Sequence, residues 1–126
     1  MHPEELKYTK SHEWVRVEDG EAVVGITYHA QEQLGDITYI ELPEVGRTVA
    51  AGETLGTVES VKAVADLFAP VSGEVVAVNE EAAAAPEIVN QDPYGRGWLV
   101  RLKLSKPEEL ETLLSAQEYE QTIKEE

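Results

Sequence analysis

Lys62 is the side chain with the strongest claim to chemistry, because of where its neighbours put it. It stands in Glu59-Ser60-Val61-Lys62-Ala63, after a stretch punctuated by Gly46, Gly52 and Gly56 and before a return marked by Pro70 and Gly73. Strand-like runs on either side meet at Val61-Lys62, which predicts a lysine at an exposed hairpin tip. There its ε-amine is open to an enzyme that grips the backbone on both sides, and acylation would remove one positive charge. The plainer alternative is a solvated surface lysine, the usual fate of the residue. A second candidate is His12 beside Glu13, a pair able to do acid–base work, for which a strand-edge polar pair is the plainer account. The chain has no cysteine, so disulfides, thiolate-held zinc and a thiol nucleophile are excluded, and any sulfur chemistry must use borrowed sulfur. It shows neither a nucleophile elbow nor a glycine-rich phosphate loop.

The elements that must position Lys62 are mostly short strands. Glu13 to Val17 and Glu21 to Ile26 flank Asp19-Gly20, the pair best suited to the positive φ angles of a tight hairpin. Thr27 is a candidate N-cap for a short helix from Tyr28 to Leu34, closed by Gly35. Asp36 to Leu42 alternates with a two-residue period and ends at Pro43. Further strands are expected near Arg47–Ala50, Thr54–Ser60, Ala63–Ala69, Glu74–Val78 and Trp98–Leu104, a spacing that suggests a sandwich or flattened barrel. Ala82 to Ala85 reads as a helical turn stopped by Pro86, and Asn90 to Gly97 as turns. From Pro107 the pattern is helical, with Leu110, Leu113 and Leu114 on one face. A second short helix over Ala116 to Ile123 completes a cover on the sheet, and Lys124 to Glu126 should fray.

The 126 residues suit one domain spanning 1–126. Apolar residues make up 42% of them, enough for a modest core without staples. With 25 acidic against 10 basic side chains the formal net charge is −15, which repels nucleic-acid phosphates. The same charge serves solubility, steering onto basic patches of partner proteins, or both. No apolar run is long enough to span a membrane, and Met1 to Lys10 shows neither a signal core nor a transit pattern. A soluble protein of a bacterial-type cytoplasm is expected, or a mature form, such as a mitochondrial matrix protein, already stripped of its leader.

Glu59-Ser60-Val61-Lys62-Ala63 resembles the lipoylation site of the glycine cleavage H-protein family, within the wider biotinyl/lipoyl carriers. Biotin carriers usually flank their lysine with methionine on both sides, a pattern that Val61 and Ala63 do not fit. The resemblance extends to Tyr8-Thr9-Lys10-Ser11-His12-Glu13-Trp14-Val15, Gly25-Ile26-Thr27, Ala30-Gln31-Glu32-Gln33-Leu34-Gly35-Asp36, Glu41-Leu42-Pro43-Glu44-Val45-Gly46 and Asp92-Pro93-Tyr94-Gly95, with Gly97-Trp98 following. Two positions depart from it: Tyr28 stands where the family often has Asp, and Gln33 where some members have His.

This resemblance implies a mainly β, flattened barrel or sandwich of the biotinyl/lipoyl-carrier type, with short helices that include a C-terminal cover at about 106–123. It implies a non-catalytic carrier with (R)-lipoate attached to Lys62, and Glu59, Ser60, Val61 and Ala63 as the recognition residues around it. Ser11, Glu13 and Asp66 match positions lining a cleft where the aminomethyl-loaded arm is held. An ammonium leaving water needs carboxylate partners, so the implied chemistry is coherent. The implied partners are a pyridoxal-phosphate glycine decarboxylase, a tetrahydrofolate-dependent aminomethyltransferase, dihydrolipoyl dehydrogenase, and a lipoate ligase or lipoyltransferase. Nucleic acid and membrane are not expected, and a monomer would leave the arm free. Two other classes stay open: a lipoate relay storing lipoyl groups for other acceptors, and a hydrolase built on His12 and Glu13.

Overall fold

The computed structural model describes residues 2–126. In chain order, β1 (Lys7–Tyr8), β2 (Glu13–Glu18) and β3 (Glu21–Ile26) precede helix α1 (Tyr28–Leu34). Then come β4 (Ile37–Glu41), β5 (Thr48–Val49), β6 (Thr54–Ser60), β7 (Val64–Phe68) and β8 (Gly73–Val78). Helices α2 (Glu80–Ala84) and α3 (Glu87–Gln91) lead to β9 (Val100–Leu104), a 3-10 helix (Pro107–Thr112) and α4 (Ala116–Lys124). One sheet has the order β1-β2-β3-β9-β8-β5 and the other β4-β6-β7, with every pairing antiparallel. The mainly β sandwich with short helices is therefore the observed architecture.

Local chemistry explains the hairpins and caps. Asp19 and Gly20 have φ of 51° and 79°, the left-handed pair that matches the twist of the flanking strands, and Glu18 faces Glu21 across the turn. Thr27 accepts the Ala30 N–H through its side chain, and the Gly35 N–H closes α1 on the Gln31 carbonyl. Gly56, on β6, lies against β4 so closely that a Cβ there would fall 2.0 Å from the Glu41 carbonyl oxygen; only glycine fits.

Both sheets supply the main core, with Val15, Val24 and Val100 from one and Ile40, Val58 and Leu67 from the other. The outer face of β2 and β3 carries a second cluster, where Trp14 and Val23 meet Tyr8, Ala116 and Tyr119. Covering it is the work of α4, which starts in a capping box between Ser115 and Glu118. The Ser-x-x-Glu spacing of this box is legible in the sequence.

Three expectations are corrected. The strict alternation over Asp36 to Leu42 fails, because a register shift between Ile37 and Tyr39 turns Ile37 and Ile40 to the same buried side. The helix expected from Pro107 is a short 3-10 turn, and its leucines do not share a face. Leu110 and Leu113 pack on the main core and Leu114 on the second cluster, because Leu114 exchanges two 2.8 Å backbone bonds with Tyr8. Instead of turns from Asn90 onward, α3 runs to Gln91.

Candidate functional site

The hairpin of β6 and β7 places Lys62 at its tip. Ser60 organises the turn: its N–H donates to the Ala63 carbonyl at 2.8 Å, and its Oγ accepts the Ala63 and Lys62 N–H groups at 3.1 and 3.3 Å. The Val61 N–H donates to the Asp36 carbonyl at 3.1 Å, tying the tip to the chain just beyond α1. Val61, Lys62 and Ala63 are exposed and Glu59 is half-buried. Among the described residues no carboxylate pairs with the Lys62 ammonium. Its Cε lies 3.4 Å from the place a Cβ on Gly35 would occupy, so the stem rests on the C-terminal end of α1.

That end of α1 is held by a residue for which the sequence reading assigned no role. Asn90 of α3 accepts the Ile37 N–H at 2.9 Å and donates to the Gly35 carbonyl at 2.9 Å and to Gln31 at 3.0 Å. One amide thereby fixes the join between α1 and β4, on which the lysine lies.

Beside the hairpin a cleft of about 290 Å³ runs along α1. Ser11, His12 and Glu13 form one wall, His29, Ala30 and Gln33 of α1 another, and Val58, Ala65 and Asp66 of the hairpin a third. Ser11 and Glu13 thus face one space with Asp66, which is distant from them in sequence, and with the side chain of Glu126. Asp66 is exposed. Glu13 is 1% exposed; its Oε1 accepts the Thr9 and Ser11 hydroxyls at 2.5 and 2.6 Å, and its Oε2 accepts the Phe68 N–H at 3.1 Å. Desolvation by burial raises the Glu13 carboxyl above its ordinary value, against the opposing pull of these hydrogen bonds.

His12 has φ of 74°, a left-handed backbone that a side chain seldom adopts. Its Nδ1 lies 2.7 Å from the Tyr119 hydroxyl and its Nε2 3.0 Å from a Glu126 oxygen. Neither nitrogen bonds Ser11 or Glu13, so the geometry does not assemble the hydrolase pairing considered above. Burial lowers the His12 imidazole below its ordinary value, opposed by Glu126. The Nε2 of His29 lies 3.3 Å from the other Glu126 oxygen. Where fraying was expected, the last side chain bridges two imidazoles.

Comparison with known proteins gives one consistent result. The family model for the glycine cleavage H-protein matches residues 6–126. The glycine cleavage system H protein of Aeromonas hydrophila is 58% identical over 125 residues, covering 98% of this chain and 97% of that protein. Its counterpart from Symbiobacterium thermophilum is 54% identical over 123 residues, covering 98% and 96%. The crystal structure of a glycine cleavage system H protein from Mycobacterium marinum superposes with a TM-score of 0.88 at 43% identity, covering 97% of this chain and 98% of that one.

Proposed function

Because the chain belongs to the glycine cleavage H-protein family, and so is a lipoyl carrier of that system and not a catalyst, we propose that Lys62 carries the lipoyl group and that its arm is parked in the cleft along α1. The observation that supports this most directly is the hairpin tip: an exposed, unpaired lysine on a turn whose backbone is held from both sides. Such a turn presents the ε-amine to a lipoate ligase or lipoyltransferase without any rearrangement of the fold, and Glu59, Ser60, Val61 and Ala63 are what that enzyme would read. Ser60 contributes by keeping the loop in one shape. The apolar side chains of Val61 and Val64, 70% and 66% exposed, offer contact surface on either side of the lysine.

Reach and charge also fit. From Lys62 to the paired residues Val58 and Ala65 is three to four residues along the hairpin, or about 10–13 Å at strand rise. A lysyl-lipoyl chain of roughly eleven single bonds extends about 14 Å, enough to bring its end to the cleft. Attached there, the lipoyl group supplies a disulfide that accepts the aminomethyl unit of glycine and a dithiol to be reoxidised. The side chains of this protein bind and shield. Glu13 and Asp66 would draw the ammonium into the cleft, Ser11 would hold the Glu13 oxygen in place, and the apolar faces of Val58 and Ala65 would keep water off the thioether. The carrier would thereby pass between the pyridoxal-phosphate glycine decarboxylase, the tetrahydrofolate-dependent aminomethyltransferase and dihydrolipoyl dehydrogenase, docking briefly on each as a monomeric single domain in the cytoplasm.

Intact mass with peptide mapping, after incubation with lipoate, ATP and a lipoate ligase, tests the attachment. One lipoyl group on Lys62 is expected; modification elsewhere, or none with a ligase active on a control acceptor, would reject it. Glycine–bicarbonate exchange with the decarboxylase then separates a carrier from a lipoate relay, since only the carrier supports exchange.

A further inference from the structure

We propose that His12, His29 and Glu126 form a binding site for one divalent transition-metal ion of the zinc class. This site does not rest on attachment at Lys62, because it uses none of the residues at the hairpin tip, but its three side chains line the same cleft that is proposed for the arm. One ligand atom from each of the three side chains lies within 4.8 Å of the other two. The His12 Nε2 is 3.0 Å from one Glu126 oxygen and the His29 Nε2 is 3.3 Å from the other. Donors bound tetrahedrally at zinc distances lie about 3.3 Å from one another, so each imidazole already stands near ligand–ligand distance from the carboxylate, though each from a different oxygen of it. Ligation requires Glu126 to turn one oxygen toward both imidazoles and the two rings, whose centroids are 4.9 Å apart, to close in on the ion.

The donor set selects the ion. Two imidazole nitrogens and a carboxylate suit zinc and its neighbours, whereas an all-oxygen set would favour magnesium or calcium. Three protein ligands leave a fourth position for water. The ring of His12 is also oriented from behind. Its Nδ1 lies 2.7 Å from the Tyr119 hydroxyl, which lies 2.7 Å from the Thr27 Oγ1. If Nδ1–H donates to the tyrosine oxygen and the tyrosine O–H to threonine, the Nε2 lone pair is left facing Glu126. An outer hydrogen bond of this kind is the usual means of fixing a ligating imidazole. The left-handed backbone of His12 aims the ring, and no Lys or Arg pairs with Glu126 among the described residues. The three ligands come from the turn before β2, from α1 and from beyond α4, so an ion would staple the C-terminal end to the cleft wall.

Titration calorimetry of the purified chain with zinc ion tests this, with cobalt ion as a spectroscopic probe. Expected are one zinc per chain, a raised melting temperature, and the intense visible bands of tetrahedral cobalt. Glu126→Gln, at an exposed position that does not threaten folding, and His29→Ala should each weaken binding about tenfold or more. His2→Asn, whose ring packs nearby on Tyr8 and Tyr119, should leave binding unchanged. Absence of zinc binding, or binding in both ligand variants as strong as in the native protein, would overturn the proposal.

Discussion

Glu13 offers a test in which both the size and the sign of an effect follow from its surroundings. Removing its carboxylate in Glu13→Ala deprives three donors of their acceptor: the hydroxyls of Thr9 and Ser11, and the N–H of Phe68. Ser11 is exposed and Thr9 half-buried, so both hydroxyls can turn to water, while the half-buried Phe68 amide cannot turn. An orphaned donor costs about 1–3 kcal/mol, and release of a desolvated carboxylate offsets part of that. A net loss of about 1–2 kcal/mol near neutral pH is expected, or roughly 3–10 °C in Tm for a chain of this size. Glu13→Gln should lose less than about 1 kcal/mol, because its oxygen can face Phe68 while its NH2 donates to hydroxyls that then accept. The pH dependence is sharper still. Burial raises the folded-state carboxyl, so the native chain binds more protons than the unfolded one between the two pKa values. The contribution of Glu13 is complete below the unfolded value of about 4.5 and is lost as pH rises through the folded value. Urea unfolding from pH 4.5 to 8 should therefore show the native protein losing ground to Glu13→Gln as pH increases. A native protein that gains on Glu13→Gln over that range would refute the reasoning, since it would mean that the hydrogen bonds outweigh burial.

Lys62→Arg should abolish lipoylation in the ligase assay and shift Tm by no more than the equivalent of about 0.5 kcal/mol, as expected for an exposed site whose charge is kept; a large loss of stability would contradict the hairpin-tip geometry. Gly56→Ala places a methyl against the Glu41 carbonyl and should cost at least about 1–3 kcal/mol by forcing β4 from β6, read by urea unfolding; a neutral result would mean that the two strands are less closely apposed. Ser115→Ala removes the capping box of α4 and should cost about 0.5–2 kcal/mol, with the C-terminal amides losing hydrogen-exchange protection before the sheet does. Uniform loss across the chain would show that α4 unfolds only with the sheets.

Legibility in this sequence tracked the separation of the contacts. The turn at Asp19-Gly20, the Thr27 cap and the Lys62 tip were readable because each is decided by residues within a few positions of one another. Two-residue alternation misled at Ile37 because the bulge beside it depends on the partner strand, which periodicity within one segment does not contain. The cleft is the extreme case. His29 and Glu126 are 97 residues apart, His12 and Tyr119 are 107 apart, and Asn90 reaches back 53 to hold the Ile37 amide. No local pattern marks such partners, so Ser11, Glu13 and Asp66 could be grouped as one cleft only through a resemblance, and His29, Asn90 and Glu126 went without any role.

That asymmetry bears on how the cleft should be interrogated. Glu13 both faces the space proposed for the arm and holds the turn that builds one of its walls, through Thr9, Ser11 and the Phe68 amide. A lost aminomethyl-holding function in Glu13→Ala therefore has two sufficient causes, absence of the charge and collapse of the wall. Glu13→Gln separates them: it keeps an acceptor on Phe68 and donors for the hydroxyls while removing the charge. If the carboxylate is what retains the ammonium, the loaded arm should be released and hydrolysed as fast in Glu13→Gln as in Glu13→Ala, even though only the alanine variant is markedly destabilised. If release follows stability, Glu13 is a scaffold and Asp66, exposed and free of any such structural duty, is the group that holds the amine.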